Sequence, residues 1–158
     1  RRCGDVTSRA GAGEARIVTA HRFPYVQVDP ALGAASALPY VPITLTHGQQ
    51  DIAASALVDS GAALNVLPYD IGLQLGAVWE HQTVAVKLSG NLAASEARAL
   101  LLTGKVGEFA AVRLAFAWTR SNHVPVILGQ VNFFMEFDVC FYRSKLLFEI
   151  RVKETAED

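Results

Sequence analysis

An all-β fold with one or two short helices is the class this sequence predicts. Three observations point to it. Short runs of alternating apolar and polar residues recur, as in Tyr40-Val41-Pro42-Ile43-Thr44-Leu45-Thr46 and Thr83-Val84-Ala85-Val86-Lys87-Leu88. That is the period of a strand with one buried face. Turn-forming clusters such as His47-Gly48-Gln49-Gln50 and Ser89-Gly90-Asn91 separate the runs. A helix is announced clearly only once, by Pro68 ahead of Tyr69 to Leu75 with Gly76 as its stop.

Taken in order, residues 1 to 22 are rich in Gly, Ala, Ser and Arg without periodicity and read as a mobile arm or linker. The structured domain, residues 23 to 158, is expected to start with the alternating segment Phe23 to Val28, closed by Asp29-Pro30. Residues 31–37 read as a loop. The strand Tyr40 to Thr46 turns at His47 to Gln50 and returns as Ile52 to Val58. Leu64 to Leu67 is a further short strand, and the helix at Tyr69 follows it. Thr83 to Leu88 and the return through Ala94 to Leu102 form a hairpin. Leu101 to Val106 and Phe109 to Trp118 are predicted as two more strands joined at Gly107-Glu108. Val124 to Gly129 is apolar and precedes a helix-like run, Gln130 to Met135. Phe137 to Phe141 and Lys145 to Ile150 close the chain as strands around Tyr142-Arg143-Ser144.

Composition narrows the function classes. The chain has 158 residues, 51% hydrophobic and 18% charged, enough for one domain with a real core. A net charge of −1 with no basic run gives no pull toward nucleic acid or an anionic membrane. The apolar runs are too short and too broken to span a bilayer. His21, His47, His81 and His123 share no metal-ligand spacing, so no metal and no other cofactor is implied. No phosphate loop, serine-nucleophile elbow or zinc-binding helix signature is present. Cys3 and Cys140 do not make a disulfide framework, and Cys140 reads as an inert core thiol. Trp79 and Trp118 read as core or interface anchors. The compartment is left open, with a cysteine-poor chain leaning toward the cell interior. The start at Arg-Arg-Cys reads as a trimmed segment, whose upstream signal or anchor would not be visible here.

The stretch that carries chemistry is Ala56-Leu57-Val58-Asp59-Ser60-Gly61-Ala62-Ala63-Leu64-Asn65-Val66-Leu67-Pro68. An apolar strand delivers a carboxylate, a hydroxyl residue and a glycine, then resumes. A carboxylate at the end of a buried strand is costly unless it is stabilised or used. Downstream, Val126-Ile127-Leu128-Gly129 supplies an apolar run ending in glycine. Together the two segments resemble the Asp-Thr/Ser-Gly-Ala signature and the hydrophobic-hydrophobic-Gly segment of retropepsin-like aspartic proteases. The resemblance covers about residues 38 to 152 and includes the order of hairpin, motif, helix, second hairpin and apolar-Gly strand. Two positions depart from it. Many viral members carry an Asp two residues after the motif glycine and an Arg directly after the downstream glycine. Here Ala63 and Gln130 stand there, so both charges of that pair are missing together and neither is orphaned.

What the resemblance implies is specific. The fold would be the closed β-barrel of acid proteases, one lobe per chain. Asp59 would be catalytic, braced by Ser60, Gly61 and Ala62. Leu88, Ser89, Gly90 and Asn91 would form a flap over an extended peptide. Val66, Pro125 and Ile127 would flank the substrate, while Ile127, Leu128 and Gly129 would pack behind the catalytic loop. Asp-Ser-Gly occurs once, whereas pepsin-like chains carry such a tripeptide twice. A homodimer with its active site on the two-fold axis would supply the second carboxylate. The alternative is a catalytically weak or inactive module of the same fold that binds peptide or dimerises.

Overall fold

The computed structural model describes residues 19–154. Six strands close into a barrel: β4 (Tyr40–His47), β5 (Gln50–Val58), β6 (Asn65–Leu67), β8 (Ala97–Val106), β9 (Val112–Thr119) and β10 (Val126–Leu128). Their order is β4-β5-β10-β6-β9-β8, and β8 returns to pair with β4 through Ile43↔Val106 to Thr46↔Thr103. Closure removes the free edges that an open sheet would present. The short strand β7 (Ala85–Val86) attaches outside β8. A second sheet, β1-β12-β11, joins β1 (Ala20–Pro24), β12 (Leu147–Val152) and β11 (Phe137–Tyr142). A small pair, β2 (Val26–Gln27) with β3 (Ala37–Leu38), lies in the chain between β1 and the barrel. The helices are α1 (Tyr69–Gln74) and α2 (Phe133–Glu136).

Alternation becomes burial as the period of a strand requires. In β4, Val41, Ile43 and Leu45 are buried while Pro42 and Thr44 are exposed. Inside the barrel they meet Leu102, Val106, Leu114 and Phe116. Trp118 is 0% exposed, donates its indole N–H to Tyr69 O at 3.1 Å, and stands edge-on to Trp79 with centroids 5.2 Å apart. Both tryptophans are therefore core residues. Helix α1 ends where Gly76 takes φ +73°, a conformation that side chains resist.

Several expectations need correcting. Strand β1 begins at Ala20, so residues 20–22 belong to the sheet because β12 offers them partners. The rest of the proposed arm lies outside the described residues. The loop at 31–37 is instead 3-10 turns over Pro30–Ser36, capped by the Asp29 side chain accepting from Ala31 N, and then β3. Thr83 to Leu88 pairs only over Ala85–Val86, because the chain coils into a 3-10 turn at Gly90–Leu92. Leu101 to Val106 is no separate strand. It continues β8, which β9 pairs along most of its length. The helix expected over Gln130 to Met135 is confined to Phe133–Glu136. Cys140 is half-buried in β11, so it is not the core thiol expected, and Cys3 lies outside the described residues.

Candidate active site

Strand β5 ends at Val58, and Asp59 follows directly. One neighbouring strand fixes that exit. Strand β10 runs parallel to β5 with Leu128↔Val58 in register, and Asp59 N donates to Leu128 O at 3.0 Å. The chain then makes a tight turn in which Ala62 N donates to Asp59 O (3.1 Å) and Gly61 N donates to Asp59 Oδ1 (2.9 Å). The carboxylate is thereby aimed by its own loop. Asp59 is half-buried, and Ser60 and Gly61 are exposed.

Behind the loop, the segment after β10 closes a second set of bonds. Gln130 N donates to Ala62 O and Val131 N to Ala63 O, both at 2.9 Å, and the Gln130 side chain donates from Nε2 to Ser60 O at 2.8 Å. A β-carbon at residue 129 would lie 2.4 Å from Leu64 O and 2.7 Å from Ala62 O. Only glycine lets the two segments pass this closely.

Beneath them sits a buried amide network that the sequence reading passed over. Asn65 is 0% exposed and fully bonded: Oδ1 accepts from Gly129 N at 2.8 Å, and Nδ2 donates to Ala115 O and Asn132 Oδ1. Asn132 in turn accepts from Ala115 N and donates to Arg113 O. The signal was available, since an amide within an apolar strand must find partners. Three elements are tied together here: β6, β9 and the loop after β10.

In front of Asp59 is an open hollow of about 310 Å³, lined by Leu38, Pro39, Leu57, Val58, Asp59, Ser60 and Phe141. The lining is mainly apolar, so the carboxylate faces a surface suited to apolar side chains.

Two solved structures are similar to this arrangement as a whole. A retropepsin-like aspartic protease from Rickettsia conorii matches with a TM-score of 0.59 and 11% identity over 88% of this chain and 98% of that one. The retroviral protease-like domain of Ddi1 from Leishmania major matches with a TM-score of 0.51 and 16% identity over 64% and 79%. The chain has the retropepsin-like fold. No family model and no curated protein matches it.

Within this retropepsin-like fold the remaining expected site residues can be located. Ile127 pairs with Leu57 on one side and Val66 on the other; Val66 is buried, and Pro125 and Ile127 are half-buried. None of the three lines the hollow in front of Asp59. Leu128 and Gly129 are buried behind the loop. Leu88 is half-buried, while Ser89, Gly90 and Asn91 are exposed at a turn where Gly90 has φ +62°. Leu38, Pro39 and Phe141 were missed, because β3 and β11 reach the hollow from distant parts of the chain. Among the described residues no helix is long and apolar enough to cross a membrane, and no cluster of His, Cys, Asp or Glu has the form of a metal site.

Proposed function

We propose that this chain is an aspartic endopeptidase that acts as a homodimer, with one Asp59 from each copy at the two-fold axis. The observation that carries the reading is Asp59 itself: a carboxylate held by Gly61 N–H and facing an open, apolar hollow in a retropepsin-like fold. In this reading the protease domain begins with β1 at Ala20, ahead of the expected start at residue 23.

Two like carboxylates side by side share one proton over a working pH range. The ionised carboxylate takes a proton from a bound water, whose oxygen then attacks the scissile carbonyl carbon. The protonated carboxyl donates to the carbonyl oxygen. As the tetrahedral centre collapses, the C–N bond breaks and the leaving nitrogen receives a proton. No covalent enzyme intermediate forms.

Ser60 braces the pair by a hydroxyl hydrogen bond to the opposite copy, and Gly61 presents backbone to carboxylate and substrate. Ala62 donates no side-chain hydrogen bond to the carboxylate. Leu88, Ser89, Gly90 and Asn91 act as a flap, and the peptide binds extended by main-chain hydrogen bonds. Leu38 and Phe141 flank the peptide from the hollow, with the half-buried Pro125 and Ile127 further out, while Val66 is buried in β6 and supports the site from the core.

Incubating a mixed peptide library with the native chain and with Asp59→Asn, between about pH 4 and pH 7, tests this directly. Native cuts that fall at least a hundred-fold in Asp59→Asn, on the order of a lost acid–base group, support the protease. Peptide binding without cuts by either chain would leave the inactive binding module, which the missing charge pair at Ala63 and Gln130 favours.

A further inference from the structure

We propose that Gln130 is a positioning residue for Asp59 and acts through a single peptide plane. Its catalytic consequence rests on the protease reading above; its structural half does not. The Gln130 amide donates from Nε2 to Ser60 O at 2.8 Å. That carbonyl belongs to the same peptide unit as Gly61 N–H, which donates to Asp59 Oδ1 at 2.9 Å. A peptide unit is planar and rigid, so fixing the direction of its oxygen fixes the direction of its N–H. A bond received at the oxygen also polarises the unit and strengthens the bond given at the nitrogen. Gln130 thus reaches the carboxylate without touching it.

The geometry on either side isolates this effect. The Gln130 backbone is anchored separately, its N–H donating to Ala62 O at 2.9 Å. Its side chain is exposed, so substitutions leave the packing of β10 in place. The residues lining the hollow beside Asp59 are Leu38, Pro39, Leu57, Val58, Ser60 and Phe141, none of them charged. A neutral amide therefore orients the carboxylate without placing a second charge beside it. Ala63, exposed in the same loop, can take no part in such a contact. Where viral members of the family carry a charge pair, this chain adds one uncharged side-chain donor to the backbone bonds that hold the loop.

Three substitutions in the full chain separate donation from bulk. Gln130→Leu removes the donor, Gln130→Glu keeps the shape but accepts instead of donating, and Gln130→Lys restores a donor. The first readout needs no activity: hydrogen exchange of the Gly61 amide by NMR, with the Ala56 amide in β5 as an internal standard. Protection of Gly61 should fall about three- to ten-fold in the Leu and Glu variants, the size of one modest hydrogen bond, and recover in the Lys variant. Cleavage should follow the same order, kcat dropping by a similar factor with KM unchanged. An unchanged Gly61 amide in Gln130→Leu, or no recovery in Gln130→Lys, overturns the proposal whatever the rates do. If the amide follows the pattern while kcat in an active enzyme does not, the catalytic role is overturned. If no variant and no native chain cuts peptide but the amide responds, the protease reading fails and the positioning of Asp59 by Gln130 stands.

Discussion

Asn65 illustrates how much a single buried side chain can decide. From a fully buried position it satisfies Gly129 N and Ala115 O and meets Asn132. Asn65→Leu keeps the branched shape and the number of heavy atoms, though its methyl groups are bulkier, and it strips partners from the buried Gly129 N–H and from Ala115 O. The expected loss is roughly 2–4 kcal/mol, read as a lower urea midpoint at unchanged slope. A loss under about 0.5 kcal/mol, the range of an ordinary surface change, would refute it. At this scale the sequence was informative where chemistry restricts the residue type. Asp59 at the mouth of an apolar strand and Gly129 at a close crossing could be read in advance, since few residues serve there. Leu38 and Phe141 could not. An apolar residue on a strand looks alike whether it faces the core or an open hollow, and Phe141 is 37% exposed only because β11 lies where it does.

Strand β12 shows the same contrast for an element. Its alternation should bury one face, yet Phe148, Glu149 and Ile150 are all buried, with Glu149 only 5% exposed. The carboxylate is accommodated because Arg22 of β1 bonds it at 3.0 Å and Arg151 of β12 bonds it from two residues on. Burial pushes the Glu149 carboxyl up, but the hydrogen bonds and charges of Arg151 and Arg22 outweigh it and hold the carboxyl below its usual value. A lowered folded value means that the stabilisation is complete above about pH 4.5, the ordinary value, and is lost as pH falls through the lower one. Thermal melts should therefore show native stability falling with acid more steeply than that of Glu149→Gln. At neutral pH the variant should be about 1–3 kcal/mol less stable, as for hydrogen bonds to a charged group. Parallel pH dependence of the two proteins would count against this. Elements with a clean period, such as β4, were legible. Strand β8 is one element because it pairs continuously with β9, and Thr83 to Leu88 is shorter than expected because the connection after it coils into a 3-10 turn.

For the molecule as a whole, the closure of β8 onto β4 was not readable from periodicity, since strands carry no mark of their partners. The resemblance supplied it, and the two similar structures bear it out at the level of fold. The proposed second Asp59 also belongs to this scale. Mixing native chain with an equal amount of Asp59→Asn, after subunit exchange, should reduce the native homodimers to about a quarter of all dimers. Cleavage would then fall to about half of the rate due to the native chain alone. A rate that ignores the mutant would indicate that each chain works by itself. One further feature follows from the pairing of β1 with β12. Val152 N donates to Thr19 O at 3.0 Å, and five residue pairs follow, from Ala20↔Arg151 to Pro24↔Leu147. Chain entry and exit thus lie side by side at one end of an antiparallel ladder. Tension applied across them would load its rungs one at a time, as tape peels from a surface, instead of shearing all of them together. The pairing of β1 with β12 would accordingly yield to a weaker pull in that direction than in one that strained its five residue pairs at once.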